Sequence, residues 1–434
     1  MGMRRSASGG ARRRVGVRAR AIVAAVALVA LWQFPVGAIP AARTGHRTAT
    51  SAQPRATAVR PAARCSGVPV SPGTDLQHTI NAHPPGTTFC FSAGTYVVTK
   101  HVRPRSGDRL ISTKRRAAVL TGLGRHDGGI VGTVGNSGEH DVLVQGFVIK
   151  RFANPWPTFP RSPLQAGLNW TIRDNEISYN SQAGVSVSSG TRLVGNWIHH
   201  NGRYGISGGP LTNLLVTGND VSFNNTAHYN PSRDAGGAKI TKSSNVVFRG
   251  NRIHDNYGNG LWCDTQNIHV TYERNAIGNN FMAGIFHETS ADAVIRNNVL
   301  SGNGRYAKGH SLWWSADVLL NDSKNVQIYG NTIRAGVHGI SLVDTNRGSN
   351  AFGLLEIRNV KVHDNTITLP AGGASGMVSS RTNPYRPRNN SFTRNTYHVT
   401  NSAAASWSWP PSGTRTWTQW RNSGNDVKGT LKVT

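Results

Sequence analysis

A repeat of about 22 residues constrains the fold more than any other feature of the sequence. An Asn-x-Ile/Val signature recurs between residues 175 and 367, and three of its intervals contain 10 to 12 additional residues. The signature begins at Asn175, Asn196, Asn219, Asn251, Asn275, Asn297, Asn331 and Asn365. A period of this length is typical of one coil of a solenoid.

Each interval contains short segments in which apolar and polar residues alternate, separated by Gly or Asn. Such segments predict strands with one face turned inward. No interval has room for a long helix, so each strand must pair in parallel with the equivalent strand of the next coil. The sequence therefore predicts an all-β fold, a single right-handed parallel β-helix of about ten coils. The Asn column is expected to be structural, because Asn suits a tight turn and stacked copies can hydrogen-bond along the axis.

The N-terminal segment predicts export from the cell. Residues 1–38 combine a basic start, the apolar stretch Ala21–Phe34 and the small residues Val36–Ala38, which together are the pattern of a cleaved signal peptide. A retained membrane anchor is the alternative. Residues 39–64 are rich in Ala, Arg, Thr and Pro and predict a disordered linker.

The β-helix domain is predicted at residues 65–430, with a cap at each end. A short helical pattern within the cap at residues 65–100 is expected to cover the first coil, because a solenoid exposes an open sheet edge there. The cap at residues 396–430 contains four tryptophans within 14 residues. These tryptophans are predicted to close the last coil, and a sugar-stacking platform is the alternative.

The three cysteines predict one disulfide. Cys65 and Cys90 flank the first folded segment, and export permits their oxidation. Cys263 is left over in the middle of an alternating segment. Its alternation places it inward, so we expect a buried thiol rather than a reactive one.

The charge favours a polyanionic partner. The formal net charge is +28, and residues 1–64 hold 12 Arg with no acidic residue, leaving 36 basic against 20 acidic residues afterwards. An acidic polysaccharide, nucleic acid or an anionic surface would suit this excess, and an Arg-rich proteome would also explain it. Because the basic residues are scattered and export is predicted, we expect an anionic polysaccharide as partner and no nucleic acid. We also expect no membrane association after signal cleavage, and a monomer.

Three consecutive coils carry chemically active residues at matched positions. Their segments read GGAKITKS, NGLWCDTQ and AGIFHETS, whereas other coils carry small or aliphatic residues there. Alternation places Lys239 and Trp262 on the outer face and His287 inward. Asp264 and Glu288 would lie side by side on adjacent coils, about 4.8 Å apart. Two carboxylates at that separation repel, so one holds a proton unless a lysine or a cation lies between them.

The N-terminal helix followed by PPGTTF and AGTY, the repeated GNxIxxNxxxGI coils and the Trp-rich end followed by GND carry a family resemblance. Over about residues 65–430 the chain resembles secreted bacterial right-handed parallel β-helix repeat proteins of the pectate-lyase-like superfamily. That fold carries polysaccharide lyases, uronan epimerases, glycoside hydrolases and non-catalytic adhesins. The resemblance implies either neutralisation of a uronate carboxylate before proton abstraction at C5, or hydrolysis by grouped carboxylates.

The resulting hypothesis is a lyase or C5-epimerase that acts on a uronate-containing polysaccharide. Lys239 is the predicted neutraliser or base, His287 or Glu288 the proton donor or acceptor, and Asp264 an orienting group or metal ligand. Ca²⁺ held by Asp264 and Glu288 is one hypothesis for a cofactor. A hydrolase that uses the Asp264/Glu288 pair and a polysaccharide-binding adhesin are the alternatives.

Substrate binding is assigned to Trp262 for stacking, and to Asp234 and Lys242. Two further interpretations stay open. In the first, His287 has a buried structural role instead of a place in the site. In the second, Asp264 and Glu288 form a solvated salt-bridge ladder with Lys239 and Lys242. The chain lacks the Tyr-x-Asp-x-His pattern of alginate epimerases and the vWiDH and RxPxxR patterns of pectate lyases. The three insertions are predicted walls of a groove; the first lies between Asn224 and Gly236, the second around residues 306–314 and the third around residues 346–353. An exposed Lys239 is expected to contribute little to stability.

Overall fold

The computed structural model describes residues 65–133, 138–155, 162–305, 313–380, 388–401, 405–411 and 413–434. The predicted signal peptide at residues 1–38 and linker at residues 39–64 lie outside the described residues. Within the described residues, no helix has the length and apolar character needed to cross a membrane.

Three sheets of thirteen strands each form the fold, which confirms the predicted parallel β-helix. Every coil contributes one strand to sheet A, then one to sheet B, then one to sheet C. Pairing between coils is parallel apart from the final strand of sheet C. The thirteen strands exceed the expected ten coils because the less regular first coils and both caps also contribute strands.

The strands of sheet A are Val68–Val70, Thr88–Phe91, Arg109–Ser112, Leu143–Gln145, Thr171–Arg173, Arg192–Val194, Thr212–Thr217, Ser244–Arg249, Ile268–Glu273, Ala291–Arg296, Lys324–Tyr329, Arg358–His363 and Ser391–Thr393. The strands of sheet B are Gly94–Val97, Ala118–Thr121, Phe147–Lys150, Glu176–Ser178, Trp197–His199, Asp220–Ser222, Arg252–His254, Ala276–Gly278, Val299–Ser301, Thr332–Arg334, Thr366–Leu369, Thr396–Val399 and Thr430–Val433. The strands of sheet C are His101–Val102, Gly129–Val131, Leu164–Gln165, Val185–Val187, Tyr204–Gly208, Gly236–Thr241, Asn259–Asp264, Ile285–Glu288, Ala316–Asn321, His338–Asp344, Ala374–Ser379, Ser406–Ser408 and Thr414–Arg415.

The predicted Asn column forms a buried hydrogen-bonded ladder along the axis. Asn251, for example, donates its backbone N–H and its side-chain amide to the Oδ1 of Asn275, at 3.0 and 2.9 Å. The prediction is wrong by one residue at Asn297, because the ladder continues through Asn298. Asn297 instead occupies the turn with a φ of 55°. A second buried ladder, which the sequence analysis missed, comprises Asn180, Asn201, Asn224, Asn256, Asn280 and Asn303.

Both predicted caps are present. The helix Leu76–Asn81 begins at Asp75, whose side chain accepts from the His78 N–H, and it buries Ile80. At the other end the helix Trp417–Asn422 buries Trp420.

The rings of Trp407 and Trp420 are fully buried, against Tyr397 and Phe392 respectively. Trp407, Trp409 and Trp420 therefore close the last coil, and their buried rings are not available for sugar stacking. One further pair of strands, Ser349–Asn350 and Gly353–Leu354, forms a hairpin in the third insertion.

The predicted cysteine chemistry is confirmed. Cys65 and Cys90 form a disulfide across a sequence separation of 25 residues. Cys263 is a buried free thiol, and burial raises its pKa to about 12. This thiol therefore stays protonated and packs as a small apolar side chain.

Candidate functional site

The predicted site residues lie in register on sheet C. The strands Gly236–Thr241, Asn259–Asp264 and Ile285–Glu288 pair in parallel. Lys239 lies opposite Trp262, and Asp264 lies opposite Glu288, as the repeat predicted. The outer face of these three coils therefore brings the lysine and the two carboxylates together.

A groove of about 320 Å³ crosses this outer face. Its floor follows one row of register partners, Gln165, Ser186, Ser207 and Lys239, over four successive coils. Its lining residues are Gln165, Ser186, Val187, Ser188, Tyr204, Ser207, Gly208, Gly209, Asp234, Lys239, Thr241 and Asp264. The floor is thus made of small polar side chains with a single ammonium group among them.

Three contacts fix the Lys239 ammonium. Its Nζ lies 3.0 Å from Asp264 Oδ2, donates to the Arg233 carbonyl oxygen at 2.5 Å, and lies 3.5 Å from the centroid of the Trp262 ring. The Lys239 and Asp264 side chains are only 14% and 20% exposed. The ion pair is therefore shielded from water on most sides, which strengthens it relative to a surface pair.

Glu288 is held in a different environment from Asp264. Its Oε1 accepts from Arg347 Nη1 at 2.9 Å, and its Oε2 accepts from Trp262 Nε1 at 3.1 Å. Burial and the neighbouring Asp264 carboxylate raise the pKa of Glu288. Glu288 lines a second cavity rather than the groove. The predicted role of Glu288 as a proton donor or acceptor in the groove is therefore wrong.

Trp262 does not present a face for sugar stacking, contrary to the prediction. Only 2% of the residue is exposed, because its ring lies between Lys239 and Phe286, the latter stacked at 5.3 Å with a 17° interplanar angle. The ring belongs to a second hydrophobic cluster on the outside of sheet C, which we term the outer cluster. It comprises Trp262, Ala283, Phe286, Leu319 and Val343, with Trp313, Trp314 and Val378 packed against it.

His287 cannot reach the groove, so its predicted role as a proton donor or acceptor is wrong. Its side chain points into the fully buried core, where Nδ1 lies 3.3 Å from the Tyr272 hydroxyl. Burial lowers its pKa to about 3, so the ring is neutral at physiological pH. The alternation of the strand had already placed it inward, and the open alternative of a buried structural histidine is the correct one.

Asp234 lines the groove, whereas Lys242 does not. The Asp234 carboxylate lies 3.3 Å from Arg203 Nη2 and accepts from the Tyr204 hydroxyl at 3.4 Å. Lys242 is exposed on the turn after the strand and lines a separate concavity that includes Gln266. The predicted contribution of Lys242 to the groove is therefore wrong.

Sequence reasoning missed Tyr204, Arg203 and Arg347. Burial and the Asp234 carboxylate raise the pKa of Tyr204, so its hydroxyl remains protonated. Tyr204 begins a sheet C strand one coil before Gly236, its register partner, so extending the register by one coil would have found it. Arg347 lies in the irregular third insertion, and no periodic signal indicated its contact with Glu288.

The insertions converge on this face, as predicted. The first contributes Arg233 and Asp234, and the third contributes Arg347. Residues 306–312 of the second lie outside the described residues, but Trp313 and Trp314 after them pack on the outer cluster. Side chains that alternation places on the outside are therefore largely covered.

The Ca²⁺ hypothesis does not fit the donor set. Asp264 is compensated by Lys239, and Glu288 is compensated by Arg347. Ca²⁺ takes six to eight oxygen ligands, and the described residues contain no group of three or more His, Cys, Asp or Glu arranged to hold a metal ion. We therefore assign no metal ion to these two carboxylates.

Comparisons with known proteins agree with the fold. The family described as "right handed beta helix region" matches residues 164–318. No curated protein matches the sequence. A mannuronic acid specific polysaccharide family 6 lyase from human gut microbiota is 13% identical with a TM-score of 0.53, covering 84% of this chain and 82% of that chain.

Two further solved structures are similar. The catalytic domain of a GH87 α-1,3-glucanase is 10% identical with a TM-score of 0.52, covering 86% of this chain and 69% of that chain. The A-module of a mannuronan C-5 epimerase of Azotobacter vinelandii is 17% identical with a TM-score of 0.49, covering 82% and 93%. The three parallel sheets, the family model over residues 164–318 and the two structures with TM-scores above 0.5 define the fold as a right-handed parallel β-helix.

Proposed function

We propose that the protein is a secreted enzyme that acts on an acidic, uronate-containing polysaccharide by β-elimination or C5-epimerisation. The observation that carries this proposal is the Lys239 ammonium on the floor of the groove, fixed by Asp264, the Arg233 carbonyl oxygen and the Trp262 ring. Similar folds in a mannuronic acid specific lyase and an α-glucanase support action on a polysaccharide. The excess of 36 basic over 20 acidic residues after residue 64 supports an anionic substrate.

Lys239 is placed to neutralise a uronate carboxylate. An ammonium has three N–H donors, and Asp264 and the Arg233 carbonyl oxygen engage two of them. The ammonium also contacts the Trp262 ring at 3.5 Å, so it would act on a substrate carboxylate above the floor through its positive charge. Neutralising that carboxylate acidifies the C5 proton, because the carbanion that forms on its removal is stabilised by the nearby positive charge. Asp264 acts as a positioning residue for the ammonium.

The proton transfers fall to the other titratable groups that line the groove. Asp264 is ion-paired with Lys239 and is mostly covered, whereas Asp234, although it is paired with Arg203, is the more exposed carboxylate, so we assign Asp234 as the base for the C5 proton and Tyr204 as the donor. The protonated Tyr204 hydroxyl would donate to O4 in elimination, because a base and a donor that are hydrogen-bonded to each other meet the sugar from the same side; epimerisation would take its proton from another group, on the opposite face of C5. Both groups are within reach of one bound sugar, since they are hydrogen-bonded to each other at 3.4 Å.

The geometry gives less support to the two alternatives. Hydrolysis by grouped carboxylates needs both carboxylates at one glycosidic bond, whereas Asp264 lines the groove and Glu288 lines the second cavity. A binding-only adhesin is expected to show a flat solvated face, whereas Asp234, Tyr204 and the inserted loops form walls here.

The test is incubation with a panel of uronic-acid polysaccharides. Ultraviolet absorbance of unsaturated uronate reports elimination, proton NMR reports epimerisation, and reducing ends report hydrolysis. Tyr204→Phe should abolish turnover and retain binding, and Lys242→Met is the matched control because Lys242 lies outside the groove. Binding without turnover by the wild type would favour the adhesin, and absence of both would overturn the proposal.

A further inference from the structure

A second cavity lies beside the groove and has no role in the chemistry proposed above. Its volume is about 320 Å³, which lies at the lower end of the range for ligand pockets. The lining residues are Ser232, Asn259, Met282, Phe286, Glu288, Trp314 and Leu319. The walls are therefore mostly apolar, with three polar side chains among them.

One polar group in this cavity lacks a partner. Asn259 is 1% exposed, and its Oδ1 accepts from the Ala283 N–H at 3.1 Å. Its Nδ2 is buried and has no hydrogen-bond partner among the described residues. A buried donor without an acceptor is costly, so such groups are rare in native proteins and point to a ligand. The ligand for this site must therefore present a hydrogen-bond acceptor.

The charges around the cavity favour a neutral ligand. The two oxygens of Glu288 already accept from Arg347 and Trp262. An incoming ammonium would find this carboxylate compensated, and an incoming carboxylate would meet it as a like charge against apolar walls. The ligand that fits this cavity therefore has an uncharged hydrogen-bond acceptor attached to a small apolar group.

The cavity and the groove share their boundary. Trp262 separates them, since one face of its ring contacts Lys239 and its Nε1–H donates to Glu288. On the inserted loop, Ser232 lines the cavity and Asp234 lines the groove. A polysaccharide in the groove can therefore place a substituent, or a neighbouring sugar unit, in the cavity.

We propose that this cavity binds an acetyl group on a sugar unit of the polysaccharide. The acetyl carbonyl oxygen accepts from Asn259 Nδ2, and the methyl group packs against Phe286 and Trp314, whose rings lie 6.4 Å apart and near-perpendicular at 83°. This assignment rests on the proposed function for the identity of the polymer, and it makes the preferred substrate an acetylated uronate-containing polysaccharide. O-acetyl and N-acetyl groups share this chemistry.

The first experiment tests the cavity without a polymer. Saturation-transfer NMR would compare methyl N-acetylglucosaminide, a 6-O-acetyl methyl glucoside and methyl glucoside. We expect the strongest transfer to the acetyl methyl and at least tenfold weaker binding of the unacetylated glycoside. The N-acetyl and O-acetyl arms identify which linkage the cavity prefers. Equal binding of all three glycosides would overturn the proposal.

Two variants locate the binding. Asn259→Asp keeps the acceptor for the Ala283 N–H and replaces the donor by an oxygen that repels the carbonyl, so acetyl binding should fall at least tenfold. Ser232→Trp fills the cavity from an exposed loop and should have the same effect without disturbing the core. Asn297→Asp, at an exposed turn, is the matched control and should bind like the wild type. Unchanged acetyl binding by both cavity variants would refute the site.

The second experiment separates this proposal from the proposed function. O-acetylated alginate and the same sample after mild alkaline deacetylation would be compared as substrates. Turnover of both at equal rates would sustain the proposed function and refute acetyl recognition. Acetyl glycoside binding that is lost in Asn259→Asp, with no turnover of any uronan, would sustain the cavity and refute the proposed function.

Discussion

Replacing Lys239 by Met tests the site most directly, because the change removes the charge and keeps most of the side-chain volume over Trp262. The lost ion pair with Asp264 is a charge-assisted hydrogen bond worth about 1.5–3 kcal/mol. The lost cation–π contact with Trp262 adds about 0.5–2 kcal/mol. Since both members of the ion pair are at most 20% exposed, little of this is screened by water. The free energy of unfolding should therefore fall by about 2–5 kcal/mol. The exposure assumed for Lys239 from the sequence is wrong, because its side chain is only 14% exposed and contacts the Arg233 carbonyl oxygen of the first insertion.

Activity should fall about 10²-fold or more in Lys239→Met, because the positive charge at the substrate carboxylate is lost. A loss of folding would also lower activity, so the double variant Lys239→Met/Asp264→Asn is the decisive comparison. Removing the orphaned carboxylate should recover part of the stability, since Asp264 would otherwise face Glu288 without compensation. It should not recover activity. Urea unfolding, monitored by tryptophan fluorescence, measures the free energy of unfolding. Initial rates on the polysaccharide identified by the panel measure the activity. Wild-type rates in Lys239→Met, or recovery of activity in the double variant, would refute the role of the lysine.

Three further predictions concern the scaffold. Because burial lowers the pKa of His287 to about 3, its contribution to stability is present above about pH 6.5 and is lost as the pH falls, by about 1.4 kcal/mol per unit. Urea unfolding between pH 7 and pH 4.5 should show a smaller loss in His287→Gln, and an unchanged slope would contradict the burial. The Cys65→Ser/Cys90→Ser variant should lose about 3 kcal/mol, and thiol titration of the unreduced denatured wild type should find a single thiol. Asn298→Ala should lower the free energy of unfolding by about 2–4 kcal/mol because it breaks the ladder. Asn297→Gly should lower it by less than about 0.5 kcal/mol. Equal losses in the two variants would refute the placement of Asn298, rather than Asn297, in the ladder.

The repeat made the fold predictable because every coil has the same local pattern of turns and strands. The sheet register follows from three local features, which are an Asn at a turn, an inward apolar residue and a fixed period. No tertiary contact has to be known to predict it. The sequence could not decide between Asn297 and Asn298, because each is followed two positions later by an apolar residue, Val299 or Leu300. In the structure Asn297 takes the left-handed turn conformation, and Asn298 turns its amide inward to the Tyr272 carbonyl oxygen.

The candidate site was predictable only as far as the register extends. Alternation correctly placed Lys239, Asp264 and Glu288 on one outer face. Whether that face is wet depends on the insertions, which have no period and therefore no register. For this reason the sequence analysis left Trp262 exposed and assigned Glu288 to the groove, whereas the structure buries both.

The burial of the outer face explains how these three coils hold charged and aromatic side chains in close contact. On a bare β-helix face a lysine and two carboxylates would be solvated, and their interactions would be weak. Here the outer cluster packs against the outside of sheet C and removes water from one side of the charged row. Trp262 links the two halves of the arrangement, because its ring holds the Lys239 ammonium and its Nε1–H holds the Glu288 carboxylate. A single ring therefore contacts the charged side chain on the floor of the groove and the carboxylate that lines the second cavity.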